Sequence, residues 1–347
     1  MVDSSVKVLY NGINSIGGTH MGNFTSIEAE FNGRLAPQAN AIMQSPQNAA
    51  NPQLAQNQIN DLIQKTLFEM RKERMQALCD ITGRNLICYI SAWLQSSATN
   101  PEIQINDNDM NGLMNAVSGI TDRKKGLDIV LHTPGGVVTA TESIVNYLRK
   151  MFNMDIRVIV PHMAMSAGTM IACSSKEIIM GKESSLGPID PQYHNVPAQG
   201  VLKEFERAMV ETITTPNRSL IWKEIIKQYR PSFVGECENV VKMSHDLVEG
   251  WLLECMFKRS RNKEERVKVI LDELASHDAS KVHDRHYDYV KCKKLGLKVT
   301  ALEDNQVLQE AVLSLYHCYL LSIYRLPSAI KFIENQNGQT FVINGQR

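Results

Sequence analysis

The sequence lacks the features that mark several protein classes. It carries no net charge, because 37 lysines and arginines balance 37 aspartates and glutamates, so its charge does not favour nucleic acid or an anionic membrane as partner. No run of apolar residues approaches the about 18 that a membrane-spanning helix needs. The N-terminus has no basic stretch followed by an apolar core, so we expect no secretory signal. No GxxxxGK[ST] phosphate loop occurs, so any ATP dependence would come from a partner.

Disulfides and metal sites are also poorly supported by the sequence. The seven cysteines are odd in number and form no CxxC pair, and most lie in apolar stretches such as the one around Cys88. We interpret them as buried free thiols in a reducing compartment and expect a cytoplasmic protein. His277, His283, Arg285 and His286 lie close together, but no cysteine or acidic partner stands at ligand spacing. We therefore expect no metal and no other cofactor.

The most informative stretch is 126–191. An apolar strand at 127–132 leads into Thr-Pro-Gly-Gly at 133–136, and a helical segment then leads to a second apolar strand at 156–160. A turn of small residues, Ala-Met-Ser-Ala-Gly at 164–168, opens the next helix. Strands that alternate with helices predict an α/β fold with parallel pairing and right-handed crossovers.

This arrangement predicts acyl-transfer chemistry. A serine on a strand-to-helix turn projects its hydroxyl away from the sheet, and the helix N-terminus behind it offers free N–H groups. Gly135 and Gly136 have no Cβ, so their backbone can approach a substrate and direct an N–H at a developing oxyanion. The serine turn and the glycine turn, each taken alone, also fit an ordinary βαβ unit. The two together favour the catalytic interpretation.

Outside this stretch the pattern is weaker. Residues 37–60 are rich in Gln, Asn, Ala and Pro and almost uncharged, which predicts a flexible arm or linker, or a segment that orders against a neighbouring subunit. Apolar residues at helical spacing predict an amphipathic helix over 58–82 that stops at Gly83. A second long amphipathic helix is predicted over 305–324 and is a candidate oligomer contact.

Three motifs together resemble one protein family. They are Thr-Pro-Gly-Gly at 133–136, Ala-Met-Ser-Ala-Gly-Thr at 164–169 and Ser-Leu-Gly-Pro-Ile-Asp-Pro-Gln at 185–192. The chain resembles the serine dehydrogenase proteinase family of the Clp/crotonase superfamily, which is similar to signal peptide peptidase A and the Clp protease subunit. The resemblance implies a stacked ββα spiral core with helical additions over residues 61–335, after an N-terminal arm and polar linker (1–60) and before a C-terminal tail (336–347).

The resemblance also implies the roles of the central residues. Ser166 would be the nucleophile, and the oxyanion hole would come from the Gly135-Gly136 turn and Ala167, with the N–H groups of Gly136 and Ala167 as donors. The Clp protease subunit has a histidine base at a place where this chain has Asp190, so a simple Ser-His-Asp triad does not follow.

The identity of the base is left open by the sequence. A Ser-Lys dyad, as in signal peptide peptidase A, makes Lys203 the first candidate, since burial can lower the pKa of a lysine towards neutrality. Asp190 would orient it. His194 and His162 are further candidates, as is Lys182.

The predicted function is that of a cytoplasmic serine endopeptidase, ATP-independent by itself, that cleaves peptides or proteins through an acyl-enzyme. Two alternatives remain: a crotonase-like enzyme that binds a coenzyme A thioester, and a catalytically inactive scaffold of the same fold. The expected partners are a peptide or protein substrate and further copies of the chain in a homo-oligomer, with neither nucleic acid nor membrane.

Overall fold

The computed structural model describes residues 23–96, 100–193, 196–275 and 285–346. The strands of these ranges are β1 (Asn85–Ser91), β2 (Leu127–His132), β3 (Ile156–Val160), β4 (Met163–Ala164), β5 (Glu177–Met180), β6 (Ser185–Leu186), β7 (Gln192–Tyr193), β8 (Val196–Pro197), β9 (Tyr287–Asp288), β10 (Val299–Ala301), β11 (Ala329–Asn335) and β12 (Thr340–Asn344). The α-helices are α1 (Phe24–Gln44), α2 (Pro46–Ala50), α3 (Pro52–Thr82), α4 (Asp109–Ser118), α5 (Val138–Met151), α6 (Ala167–Cys173), α7 (Ala198–Thr214), α8 (Ser219–Ile226), α9 (Phe233–Trp251), α10 (Lys263–Leu274), α11 (Tyr289–Leu295) and α12 (Gln306–Arg325).

A seven-stranded sheet forms the centre of the fold, in the order β10-β5-β3-β2-β1-β11-β12. The first five strands of that order are parallel to one another. β11 pairs antiparallel with β1 and with β12. Every residue of β1 and β2 is buried, as expected where helices cover both faces of a parallel sheet. The prediction of an α/β fold with parallel pairing is therefore confirmed.

A second, three-stranded sheet of order β4-β6-β9 starts at the carboxyl edge of the large one. Thr133, the residue after β2, forms a parallel bridge with Ala164 in β4. The carboxyl ends of β2 and β3 therefore lead directly into the small sheet. This junction brings the two small-residue turns of the sequence together.

The hydrophobic core lies on both faces of the large sheet. Ile129 and Leu131 face the side covered by α4, α5, α6 and α10, whereas Val130 between them faces α3 and α12. This alternation follows from the period of two in a strand. All seven cysteines are free thiols, and six of them are buried, with only Cys255 partly exposed, as the sequence predicts.

The N-terminal segment differs from the flexible linker expected over 37–60. α1 runs to Gln44, and α3 begins at Pro52 with the Asn51 side chain accepting a hydrogen bond from Leu54 N–H at 3.2 Å. The composition of residues 37–60 was misleading because the two buried side chains that hold α1 in place, Ile27 and Phe31, precede residue 37. Both are buried against α3 and α12.

The two ends of the predicted domain also belong to ordered elements. β12 lies within the expected tail 336–347 and pairs with β11. The helix predicted over 58–82 is present as α3, which starts six residues earlier and ends at Gly83 with φ of 67°. The boundaries 1–60, 61–335 and 336–347 remain a prediction as divisions into domains.

The predicted C-terminal helix is present as α12, with Asn305 as its N-cap. Its apolar face packs in the chain's own core, where Leu315, Tyr319 and Ile323 contact the sheet. The apolar stripe that suggested an oligomer contact is therefore explained by intramolecular packing. None of the described helices is long and apolar enough to cross a bilayer.

Candidate active site

Ser166 lies on a tight elbow between β4 and α6. Its backbone has φ of 51° and ψ of −117°, a conformation that a non-glycine residue adopts at a cost of about 1–3 kcal/mol. Gly168 N–H donates to Met165 O at 2.7 Å and Met170 N–H donates to Ser166 O at 3.1 Å, so the first turn of α6 holds the elbow. Ser166 is partly exposed, whereas all of α6 is buried. Such a strained strand–turn–helix serine presents its hydroxyl at the edge of the sheet.

Gly135 packs directly against this elbow. Thr133 N–H donates to Met163 O at 3.1 Å, and Met165 N–H donates to Thr133 O at 3.0 Å, which ties the two turns together. Gly135 has φ of 100°, and a Cβ there would lie 2.7 Å from Ser166 Cβ and 2.9 Å from Ala167 N. No residue larger than glycine fits at this position. The close approach of the two backbone turns therefore explains the glycine at 135 in the Gly135-Gly136 pair.

The next residue, Gly136, is fixed by Ile105. Ile105 N–H donates to Gly135 O at 2.8 Å, and Val137 N–H donates to Ile105 O at 2.9 Å. In a parallel bridge, the residue between two such bonds directs its own N–H and C=O away from the partner strand. Gly136 N–H therefore points away from Ile105. Gly135 N–H donates instead to Thr133 Oγ1 at 3.2 Å. Of the two glycines, Gly136 is thus the better placed as an oxyanion donor.

A third segment completes the surroundings of Ser166. A Cβ on Gly187 would lie 3.2 Å from Ser166 N and 2.8 Å from Met165 Cε. Gly187 N–H donates to Thr169 Oγ1 at 2.9 Å, and the Thr169 hydroxyl donates to Ala164 O at 2.8 Å. The three sequence motifs at 133–136, 164–169 and 185–192 therefore converge on one place.

Comparison with known proteins agrees with this geometry. Residues 99–338 match the family of ClpP-like SDH-type serine proteinases. The chain belongs to this family. It is 31% identical over 205 residues to the uncharacterized protein MJ0137 of Methanocaldococcus jannaschii, covering 59% of this chain and 60% of that protein. It is 29% identical over 216 residues to the uncharacterized protein MJ1495 of the same organism, covering 61% of each. The chain thus matches about three fifths of the length of these relatives.

Membership of a serine proteinase family directs attention to the groups around Ser166. Asp190 is buried on the loop after β6, where Ile189 N–H donates to Leu274 O at 2.8 Å. The pKa of Tyr287 is raised to about 12, mainly by burial, with the charges of Glu273 and Asp190 adding to the effect. The Asp190 carboxylate therefore lies within electrostatic range of the Tyr287 phenol.

Lys203, the first candidate for the base, lies near the start of α7. The helix is anchored to the loop that carries Asp190, because Ala198 N–H donates to Pro191 O at 3.0 Å. Gln199 Nε2 donates to Ala275 O at 2.6 Å and adds a second anchor. The Lys203 side chain is half-buried, and its Nζ is shielded from solvent. Its role as base is untested by these contacts and remains a prediction.

The other candidates for the base are differently placed. Lys182 is exposed, and its backbone N–H donates to Glu303 Oε1 at 2.8 Å. His162 Nδ1 lies 3.1 Å from the Tyr316 hydroxyl in α12, so this imidazole interacts with the opposite side of the sheet from α6. His194 and the histidines at 277 and 283 lie outside the described residues.

Sequence reasoning missed His132, the last residue of β2. It is fully buried and stacks on His162, with ring centroids 5.6 Å apart and an interplanar angle of 10°. Its Nδ1 lies 3.1 Å from Met163 O, and burial and the neighbouring His162 lower its pKa to about 3. The available signal was a histidine that ends an otherwise apolar strand. We assign it no catalytic role.

Possible metal ligands gather at one place within the described ranges. His245, Asp246 and Glu249 on α9 bring potential ligand atoms within 4.8 Å of one another. All three are at least partly exposed and lie on a single helix, as on an ordinary solvated helix surface. They lie in another part of the chain from the Ser166 motifs.

Proposed function

We propose that the protein is a serine peptidase that cleaves peptides or proteins through an acyl-enzyme at Ser166. The observation that carries the proposal is the strained elbow at Ser166 with Gly135 packed against it. Hydrolysis by a serine nucleophile needs a hydroxyl that the substrate can reach, beside fixed N–H donors. The contacts of Gly135, Gly136 and Ala167 support that arrangement. The match to the serine proteinase family supports the same chemistry.

The proposed reaction proceeds in two steps. Ser166 Oγ attacks the scissile carbonyl carbon as a base removes the hydroxyl proton, and the electron pair of the C=O bond moves onto oxygen. The N–H groups of Gly136 and Ala167 stabilise this oxyanion. Its collapse breaks the C–N bond, and the base returns the proton to the leaving amine. Water then attacks the acyl-enzyme in the same way and releases the acid.

Lys203 is the proposed base, with Asp190 as an orienting group. The Nζ of Lys203 is shielded from solvent, and this placement supports the choice. The anchoring of α7 to the loop that contains Asp190 supports a common role for the two residues.

The proposal includes three points about the whole molecule: the type of core, the cellular location and the oligomeric state. The small sheet next to the seven-stranded sheet supports a core of the stacked ββα spiral type, and the seven free thiols support a reducing, cytoplasmic location.

We also propose a homo-oligomer. Since the apolar face of α12 is buried, the exposed apolar residues of α7 and α8 are its proposed contact surface: Met209, Val210, Ile213, Leu220 and Ile221. The mass in solution, measured over a range of concentrations, tests this point, and a monomer throughout would contradict it.

Covalent labelling with a fluorophosphonate probe tests the proposed function. We expect the wild-type protein to be labelled, Ser166→Ala to lose labelling entirely, and Lys203→Ala to lose most of it. Lys223→Ala removes an exposed lysine from α8 and serves as the matched control, with labelling unchanged.

The outcomes separate the alternatives. Absence of labelling in folded wild-type protein would contradict the peptidase proposal and favour a crotonase-like enzyme or an inactive scaffold. Full labelling of Lys203→Ala would reject Lys203 as base while leaving Ser166 as nucleophile.

A further inference from the structure

A buried ion pair lies beneath the glycine turn, on the side away from Ser166. Lys331 in β11 and Asp109 at the start of α4 are both fully buried, and Lys331 Nζ lies 2.6 Å from Asp109 Oδ1. The two residues are 222 positions apart in the sequence. Burying two charges is unfavourable unless each is paired and fully hydrogen-bonded, so the remaining bonds of this pair are informative.

Both members of the pair hold the same short segment. Lys331 Nζ also donates to Gln104 O at 2.8 Å, and Asn106 N–H donates to Asp109 Oδ2 at 3.0 Å. The residue between them, Ile105, makes the two backbone bonds that fix Gly135 and Val137. The ion pair therefore tethers both neighbours of the residue that orients Gly136.

A second route leads from the same carboxylate to the turn. The Tyr89 hydroxyl donates to Asp109 Oδ2 at 2.7 Å and also interacts with the Thr133 side chain. Thr133 Oγ1 in turn accepts the hydrogen bond from Gly135 N–H at 3.2 Å. Two chains of contacts thus connect Asp109 with the glycine turn, one through Ile105 and one through Tyr89.

We propose that Lys331 and Asp109 are positioning residues for the reaction at Ser166, because their ion pair fixes segment 104–106 and through it the direction of Gly136 N–H. This inference rests on the proposed function. An oxyanion donor acts mainly in the transition state, so loosening it slows the chemical step while leaving binding of the ground state unchanged. Displacement of a catalytic group by about 1 Å can reduce a rate by about 100-fold.

The test replaces the pair as a unit, since removing one partner would leave a charge buried alone. The variant Lys331→Met/Asp109→Leu removes the tethers to Gln104 and Asn106. The matched control is Arg71→Met/Glu334→Leu. Arg71 and Glu334 form another buried pair, with Nε to Oε2 at 2.9 Å, and Glu334 lies on the opposite face of β11 from Lys331. Urea unfolding establishes that both variants are folded before they are compared.

The first readout separates binding of the fluorophosphonate from its reaction. We expect the maximal labelling rate of Lys331→Met/Asp109→Leu to fall by about 10- to 100-fold with an unchanged half-saturating probe concentration. The control should label at the wild-type rate. Equal rates for wild type and Lys331→Met/Asp109→Leu would overturn the inference while leaving the proposed function standing.

The second readout does not depend on activity. Hydrogen exchange of the Ile105 and Val137 amides should become faster in Lys331→Met/Asp109→Leu and remain unchanged in the control. Unchanged exchange would overturn the inference whatever the labelling shows. If the wild-type protein is not labelled at all, the proposed function fails, and exchange alone then decides whether the pair tethers the turn.

Discussion

At Ser166 the backbone has φ of 51° and ψ of −117°, and the neighbouring residues show why this strain persists. Met165 is hydrogen-bonded to Thr133 on one side, and the first turn of α6 holds the other. Gly135 fills the space beside the elbow without a side chain. At the scale of single residues, the site thus consists of one strained serine and glycines that permit close backbone approach.

Gly135→Ala should abolish fluorophosphonate labelling and lower the free energy of unfolding by about 1–3 kcal/mol. The added Cβ would lie 2.7 Å from both Met165 O and Ser166 Cβ, at a φ of 100° that alanine rarely adopts. Labelling and urea unfolding measure the two effects. Gly235→Ala is the control, because nothing lies within 4 Å of a Cβ in that helix. It should raise the stability by about 0.5–1 kcal/mol. Normal labelling of Gly135→Ala would contradict the site described here.

At the scale of secondary structure elements, α1, α3 and α12 form a layer on the face of the sheet opposite α6. α1 contributes the buried side chains of Ile27 and Phe31, and Arg74 of α3 contacts Ser314 of α12 at 3.0 Å. The N-terminal helices are therefore packed elements of the fold. Their polar composition reflects an exposed outer face with few anchors.

Phe31→Ala should lower the free energy of unfolding by about 3–5 kcal/mol, as expected for a buried phenylalanine. Met43→Ala in the same helix is the control, since Met43 is 59% exposed, and we expect a change within about 0.5 kcal/mol. Urea unfolding of both variants measures the difference. A Phe31→Ala protein as stable as the wild type would show that α1 does not pack on α3 and α12 in solution.

At the scale of the whole molecule, the two faces of the large sheet carry different polar groups. The carboxyl edge on the α6 side holds Ser166, whereas His132 and His162 lie towards α12 and stack on each other. Burial lowers the pKa of both histidines. Two neutral imidazoles inside the fold make its overall stability sensitive to acid.

The free energy of unfolding should fall as the pH drops below about 6.5, the ordinary histidine pKa. In that range the unfolded chain binds a proton at His132, whereas the folded protein does so only near its lowered pKa of about 3. One such group contributes a slope of up to about 1.4 kcal/mol per pH unit. Urea unfolding between pH 7 and 5 should show a smaller slope for His132→Leu than for wild type.

His245→Gln is the control for this pH dependence, because His245 is partly exposed on α9. We expect its slope to match that of the wild-type protein. If His132→Leu has the wild-type slope as well, His132 is not held neutral in the folded state.

The sequence by itself determined the elements whose signals are local. The strands at 127–132 and 156–160 were predicted with the bounds they have in the structure, because continuous apolar runs between turn residues define buried strands. Ser166 and the turn at Gly135 and Gly136 were recognised because a serine between small residues and a glycine pair need only local backbone geometry. The match of residues 99–338 to the serine proteinase family confirmed the family resemblance, whereas the roles of Ser166 and the two glycines stay predictions.

The tertiary structure alone decided the contacts between distant segments. Lys331 meets Asp109 across 222 positions, and neither residue stands in a motif. His132 and His162 stack because β2 and β3 are neighbours in the sheet, which no local pattern encodes. The helices over 37–60 form for a similar reason, since α1 and α3 are stabilised by packing on α12 in addition to their own propensity. Local periodicity specifies elements, whereas partners depend on how the whole chain packs.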